Sequence, residues 1–127
     1  MPELLPTTIE NYQAAVKSNP NSAEALCNLG WGYYGVRQYD ESIKTFRQAL
    51  TLDRNTIDAH YGLGLALKES GAGQEAIPEF EAVEKLAPQD LNVVRGTMLS
   101  RLARGHINRI SSGDWSLDTD LKHSVTG

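Results

Sequence analysis

Two adjacent stretches of the chain share one pattern, and this repetition determines the fold class. Residues 23–56 read AEALCNLGWGYYGVRQYDESIKTFRQALTLDRNT, and residues 57–90 read IDAHYGLGLALKESGAGQEAIPEFEAVEKLAPQD. When the two are aligned without a gap, at a period of 34 residues, Leu29 matches Leu63 and Phe46 matches Phe80. A period of this length is typical of stacked helical units, because each unit is too small to bury its apolar face alone.

Each stretch has the apolar spacing of two helices. In the first stretch, Leu26, Leu29 and Tyr33 recur at spacings of three and four residues and form one apolar stripe. Gly35 then marks a break, and Asp40 is predicted to cap the second helix. The same pattern predicts six helices in the chain, over residues 7–18, 23–36, 40–53, 57–70, 74–86 and 91–104.

The recurring residues resemble the tetratricopeptide repeat. The first unit has L-x-x-L-G-x-x-Y followed by S-x-x-x-F-x-x-A, and the second has H-x-x-L-G-x-x-L, A-x-x-x-F-x-x-V and a closing Pro88. Three residues depart from the family pattern: His60 replaces a large apolar residue, Arg54 replaces the closing proline, and Pro78 lies inside a helix. If that helix is capped at Gln74, Pro78 removes only its first internal hydrogen bond, so a bend is expected rather than a break.

The resemblance implies an all-α solenoid, a right-handed superhelix of antiparallel helix-turn-helix pairs. It divides the chain into an N-terminal segment with a half-repeat helix, two full repeats, a partial third repeat or capping helix, and a tail. These predicted parts span residues 1–22, 23–56, 57–90, 91–109 and 110–127. The tail is expected to be mobile because it contains few large apolar residues.

Composition excludes several classes of protein. The 127 residues have a net charge of −4, and this acidic balance disfavours non-specific binding to nucleic acid or anionic membranes. No stretch approaches the roughly 20 apolar residues that cross a bilayer, and the first ten residues lack the pattern of a secretory signal. The single cysteine, Cys27, cannot form an internal disulfide or a zinc cluster. A cytoplasmic location is therefore predicted.

The sequence contains no catalytic motif, so we predict no enzymatic activity, no cofactor and no metal site. It has neither a glycine-rich phosphate loop nor a Gly-x-Ser-x-Gly elbow. The histidines His60, His106 and His123 are far apart, and His60 lies on the apolar stripe, where a packed and hydrogen-bonded side chain is expected. Cys27 has no activating base nearby in the sequence and is not expected to be a nucleophile.

The resemblance implies protein binding in a concave groove that the first helices of successive repeats line. Helical spacing supports one group of groove residues independently, since Cys27, Trp31 and Tyr34 share a face that is offset from the apolar stripe. The groove residues carried over from the family are Glu24, Cys27, Trp31 and Tyr34, then Asp58, Tyr61, Leu65 and Lys68, then Arg95, Met98 or Leu99, and Leu102.

These groove residues predict a non-catalytic adaptor or scaffold that binds a peptide or helix of a partner protein. Trp and Tyr are frequent at binding hot spots, and Lys68 and Arg95 are expected to contact acidic groups of the partner. The structural alternative is that Trp31 and Tyr34 only cover a neighbouring helix or the N-terminal residues 4–5. Binding to the acidic tails of heat-shock chaperones is not expected, because the family's clamp of lysine, asparagine and arginine is missing. The matching positions hold Cys27, Trp31, Gly62, Asn92 and Gly96.

The sequence is also compatible with two alternative functions. Helix 7–18 has no preceding helix to cover Ile9, Tyr12 and Val16, so a second copy of the chain could pack there and form an assembly. Alternatively, residues 1–6 fold back and cover this face within one chain. Nucleic-acid contact is the weaker alternative, because the arginines of 95–109 have no aromatic residues beside them. These arginines are Arg95, Arg101, Arg104 and Arg109.

Overall fold

The computed structural model describes residues 8–112, and over this range the chain forms six α-helices and no strand. The helices are α1 (Ile9–Ser18), α2 (Ala23–Gly35), α3 (Tyr39–Leu52), α4 (Ile57–Glu69), α5 (Gly73–Leu86) and α6 (Val93–Ser112), with a 3-10 turn at Ala87–Gln89. Each helix packs against the next, and α2 also contacts α4. The prediction of an all-α helical repeat solenoid is confirmed.

A fully buried phenylalanine fills the centre of each helix pair. Phe46 of α3 lies between Gly30 of α2 and Gly62 of α4, and a Cβ atom at Gly30 would come within 2.8 Å of its ring. Phe80 of α5 lies in the same way against Gly64 of α4, where a Cβ atom would come within 2.7 Å of it. The glycine repeated at the 34-residue period is therefore needed for close packing of the phenylalanine ring.

The turn between the two helices of a pair has the same geometry in both units. The amide of Gln38 donates to the carbonyl of Tyr33 at 2.9 Å, and the amide of Ala72 donates to the carbonyl of Leu67 at 2.8 Å. These bonds close the C-terminal end of the first helix, as in a Schellman motif.

The residue before each closing amide adopts a positive φ angle. In the second unit this residue is Gly71, with φ of 93°, whereas in the first unit it is Arg37, with φ of 64°. Gly35, where the sequence predicts the break, is instead the last residue of α2. An arginine therefore occupies a left-handed position that glycine adopts without steric cost.

The predicted starts of two helices are wrong by one residue. Helix α3 begins at Tyr39 with Gln38 as N-cap, so Asp40 lies in the first turn and is not the cap. Helix α5 begins at Gly73, so Gln74 is also inside the helix. The N-cap residues are Gln38 and Ala72, and neither side chain makes a capping hydrogen bond. As expected, α5 continues unbroken through Pro78.

Helix α6 is longer than predicted at its C-terminal end. Its buried stripe continues from Leu99 and Ala103 to Ile107 and Ile110, so the helix continues eight residues beyond the predicted end at residue 104. Ile110 is only 5% exposed and belongs to the core, so the prediction that the tail begins at residue 110 is wrong. Residues 1–7 and 113–127, with the rest of the predicted tail, lie outside the described residues.

Candidate functional site

Helices α2, α4 and α6 share one surface, which we call the inner face. Side chains of neighbouring helices meet across it: Trp31 contacts Tyr61, Asp58 pairs with Arg95, and Lys68 contacts His106. The inner face therefore consists of Trp31, Tyr34, Asp58, Tyr61, Leu65, Lys68, Arg95 and His106. Seven of these eight residues were predicted from the family pattern, and the structure brings them together.

An aromatic cluster forms the centre of the inner face. The ring of Trp31 packs edge-on against Phe46, with centroids 5.2 Å apart, and edge-on against Tyr34 at 5.8 Å. Tyr61 lies 6.4 Å from Trp31 and packs edge-on against Phe80 at 5.8 Å. Trp31 and Tyr61 are half-buried, so each is held by a core phenylalanine on one side and open to solvent on the other.

The N-terminal ends of α4 and α6 are joined by an ion-pair network. Arg95 donates from Nη1 to Asp58 Oδ2 at 3.1 Å and from Nε to Asp90 Oδ2 at 2.9 Å. The hydrogen bond from Arg95, together with one from the backbone amide of Asn92, lowers the pKa of Asp90. Arg95 thus binds two carboxylates of its own chain and is not the free cation that the sequence suggested for contact with a partner.

His106 lies at the opposite end of the inner face and is not among the predicted groove residues. Its ring stacks on Phe80 at a centroid distance of 4.8 Å, and its Nδ1 lies 3.1 Å from Nζ of Lys68. A lysine ammonium can only donate, so Nδ1 accepts and the neutral ring can donate from Nε2 to the Tyr61 hydroxyl, 3.3 Å away. Burial and the positive charges of Lys68 and Arg109 lower the pKa of His106 to about 4.

Two residues predicted for the groove belong to the core instead. Cys27 is 5% exposed and Leu99 is 7% exposed, so neither can contact a partner. Burial, with the nearby charges of Asp58 and Glu24, raises the pKa of the Cys27 thiol to about 12. A thiol with this pKa stays protonated near neutral pH.

Leu99 was predicted to line the groove, but the packing of α6 buries it. Leu99 lies on the buried stripe of α6 with Gly96 and Ala103, whereas Leu65 at the matching position of α4 is half-buried. Met98 and Leu102, the other candidates from this helix, are exposed. Glu24 is also exposed, on the first turn of α2.

His60 lies at the side of α4 that faces α5, away from the aromatic cluster. Its Nδ1 is 2.9 Å from Oε1 of Glu79, and its Nε2 is 2.8 Å from the carbonyl oxygen of Arg54. Both partners accept, so both ring nitrogens must donate and the imidazolium form is favoured. Burial opposes this charge, but the hydrogen bonds to Glu79 and Arg54 outweigh it and raise the pKa of His60. The prediction of a packed, hydrogen-bonded histidine is confirmed.

The residues proposed for self-association are used within the chain. Ile9 and Tyr12 pack on α2 at Gly32, where a Cβ atom would come within 2.7 Å of the Tyr12 ring, and Val16 packs against the core. One side of each of these side chains is therefore turned towards α2, but none of the three is fully buried, so self-association through α1 stays a prediction.

Two of the four arginines of α6, Arg95 and Arg104, form ion pairs with carboxylates of the chain. Arg104 donates to both carboxylate oxygens of Glu84, at 2.9 and 2.7 Å, and Arg95 is paired as described above. Within residues 8–112, no group of three His, Cys, Asp or Glu residues could hold a metal ion. None of the helices in the same range has the length and apolar character needed to cross a membrane.

Comparison with known proteins places the chain among repeat proteins. The model of a family described as TPR repeat matches residues 38–71, a stretch as long as one period. A small glutamine-rich tetratricopeptide repeat-containing protein 2 from Mycosarcoma maydis is 30% identical over 93 residues, which are 73% of this chain and 26% of that protein. A peroxisomal targeting signal receptor from Candida glabrata is 30% identical over 107 residues, which are 84% of this chain and 17% of that protein. The chain thus spans about a quarter or less of the length of these curated relatives.

Solved structures show the same fold. The TPR domain of Arabidopsis OM64 superposes with a TM-score of 0.64 at 21% sequence identity, covering 78% of this chain and 79% of that domain. Proteins with this fold act in general as adaptors in protein–protein interactions. From its two 34-residue units, its phenylalanine–glycine packing and these matches, the chain belongs to the tetratricopeptide repeat family.

Proposed function

We propose that this protein is a non-catalytic adaptor whose inner face binds a peptide or helical segment of a partner protein. The observation that supports this most is the contiguous cluster of Trp31, Tyr34 and Tyr61, three half-buried aromatic side chains on neighbouring helices. Aromatic side chains already held by the core lose little freedom on binding, which is why they are effective anchors for a partner.

The charges around the cluster suggest the chemistry of the bound segment. Lys68 and Arg109 bring positive charge to the His106 end, since both lower the pKa of that histidine, whereas Asp58 lies at the Arg95 end. Leu65 lies on α4 between Asp58 and Lys68 and is half-buried. The expected segment has a large apolar side chain for the aromatic cluster and an acidic group on the Lys68 side.

The comparisons support the same general function. One relative is called a peroxisomal targeting signal receptor, a name that describes recognition of a signal in another protein. Our proposal takes from it only the idea of protein recognition, and not the identity of the signal. The cytoplasmic location, inferred from the single cysteine of the chain, is part of the proposal.

A titration with a captured partner tests the proposal. The partner is isolated with the wild-type chain, and its affinity is then measured for Tyr34→Ala and Leu65→Glu, two changes on the inner face outside the fully buried core. We expect each to weaken binding at least tenfold, which corresponds to about 1.4 kcal/mol. Lys44→Glu, at an exposed position of α3, is the matched control and should bind like the wild type.

Circular dichroism of each variant shows that a loss of binding is not a loss of folding. Affinities within twofold of the wild type for both inner-face variants would contradict the proposal. Lys68→Glu separately tests the acidic group: we expect weaker binding, and unchanged or stronger binding would overturn that part alone.

A further inference from the structure

Helix α6 has an exposed apolar side opposite its buried stripe. Val94 is 79% exposed, Met98 52% and Leu102 44%, and with Arg101 they line a shallow depression. We call these four residues the outer α6 face. Positions 94, 98 and 102 are separated by four residues each, so their side chains lie in one row along the helix.

The position that matches Met98 is covered in the two complete units. At the 34-residue period, Met98 matches Gly30 in α2 and Gly64 in α4. Gly30 is covered by Phe46 of α3, and Gly64 is covered by Phe80 of α5. In both units, the glycine of the first helix is therefore covered by the helix that follows it in the chain. Within residues 8–112, no helix follows α6.

The segment after α6 has a composition that complements the outer α6 face. Residues 113–127 read GDWSLDTDLKHSVTG, in which Leu117, Leu121 and Val125 recur every four residues. The segment has three aspartates and one lysine, whereas α6 has four arginines and no acidic residue. Among residues 8–112, Arg101 has no ion-pair partner.

The segment is also long enough to reach this face. An α-helix rises about 1.5 Å per residue, so Leu102 lies roughly 15 Å back along α6 from Ser112. The nine residues from Ser112 to Leu121 span about 13 Å as a helix and up to about 30 Å when extended. A continuous helix falls short of Leu102, whereas a segment with an extended turn after Ser112 brings Leu121 to the outer α6 face.

We propose that residues 113–127 fold back along α6 and pack Leu117 and Leu121 on the outer α6 face, with an aspartate beside Arg101. This segment takes the place that the second helix of a repeat occupies in the two complete units. Because it is tethered next to the face, its effective concentration is in the millimolar range, which favours it over a second copy of the chain. Met98 and Arg101 match Gly64 and Leu67, which lie outside the inner face, whereas Leu102 matches Lys68 and borders the inner face.

Cross-linking with engineered cysteines in the full chain tests this proposal. In Leu102→Cys/Leu121→Cys, mild oxidation should form a disulfide within one chain, seen on a non-reducing gel and by mass spectrometry. The matched control is Ser111→Cys/Leu121→Cys, whose first cysteine is exposed and closer to the tether but is not part of the outer α6 face. A segment that does not dock would reach Ser111 at least as fast, because the loop to be closed is shorter. Cys27 is buried and stays in both variants.

We expect the Leu102 pair to cross-link at least ten times faster than the Ser111 pair. Equal or slower cross-linking would overturn the proposal. A disulfide-linked dimer formed by Leu102→Cys alone at the same rate would also overturn it, because a second copy would then cover the face. The charge contact has its own test: Arg101→Glu should slow cross-linking of the Leu102 pair severalfold, and Asp118→Lys added to it should restore the rate.

Discussion

The two complete repeat units build the same helix pair with different side chains. Where the first unit has Leu26, Arg37 and Ser42, the second has His60, Gly71 and Ala76 at the matching positions. The units agree at the central phenylalanine and at the glycine on which it packs, Gly30 or Gly64, and they differ at these three positions. The comparison shows that the packing of the aromatic ring is the common requirement, and that the surrounding polar contacts are particular to each unit.

Removing the central phenylalanine is expected to have the largest effect in both units. Phe46 and Phe80 are fully buried, and truncation of a buried phenylalanine to alanine costs about 3–5 kcal/mol of folding free energy. We expect Phe46→Ala to lose more than Phe80→Ala, because Phe46 packs on glycines of both α2 and α4. Urea unfolding measures both.

Leucine substitutions test the same ranking with a smaller loss of stability. If Phe46→Ala no longer folds, Phe46→Leu and Phe80→Leu keep an apolar side chain and allow the same ranking. A larger loss at Phe80 than at Phe46 would show that the two units are not packed as the structure indicates.

The second prediction concerns His60, which has an apolar counterpart in the first unit. Its raised pKa means that the charged ring stabilises the fold fully below its unfolded pKa near 6.5, and that this stability is lost as pH rises through the folded pKa. Hydrogen bonds to charged groups contribute about 1.5–3 kcal/mol. His60→Leu, which copies Leu26, should therefore be less stable than the wild type at pH 6, with a smaller difference at pH 8.

Thermal unfolding of both proteins from pH 5 to 8 measures this difference. His106 changes stability in the opposite direction, since its lowered pKa causes a loss as pH falls from about 6.5 towards 4. Because His106 is present in both proteins, its effect cancels in the difference between them. A difference that is constant with pH would mean that His60 is not held in its charged form.

The third prediction exchanges the turn residues of the two units. Arg37 is exposed and has a φ of 64°, so Arg37→Gly removes steric strain and should raise stability by up to about 1 kcal/mol. Gly71→Ala introduces a Cβ at a φ of 93° and should lower stability by about 1 kcal/mol or more. Chemical unfolding of the two variants measures both changes in the free energy of unfolding. Destabilisation by Arg37→Gly would show that the arginine side chain contributes more than its backbone strain costs.

The smallest expected effect is at the buried serine of the first unit. Ser42 donates from Oγ to the carbonyl oxygen of Gly30 at 2.8 Å, and the second unit has Ala76 at the same position. Ser42→Ala should cost about 0.5–1 kcal/mol, the lower part of the range for a hydrogen bond, because no polar group of the side chain is left buried. Denaturant titration detects such a change. A gain in stability would mean that desolvation of the hydroxyl outweighs its hydrogen bond.

Much of the inner face follows from the sequence, and the exceptions have a common cause. Trp31, Tyr61 and Lys68 lie on the inner face because the 34-residue period places α2 and α4 in equivalent positions. Helix α6 breaks this equivalence: it buries Leu99, and its extension beyond residue 104 brings His106 beside Lys68. The continued apolar spacing through Ile107 and Ile110 was the signal in the sequence that could have extended this helix.

The sequence by itself determined the helical pairs and their period of 34 residues, because both depend on side chains at a constant spacing along the chain. Only the tertiary structure decided which side chains of the inner face remain accessible. Burial of Cys27 and Leu99, the pairing of Arg95 with Asp58 and Asp90, and the neutral state of His106 all depend on contacts between different helices. Such contacts follow from the rotation of one helix against another, which local spacing does not specify.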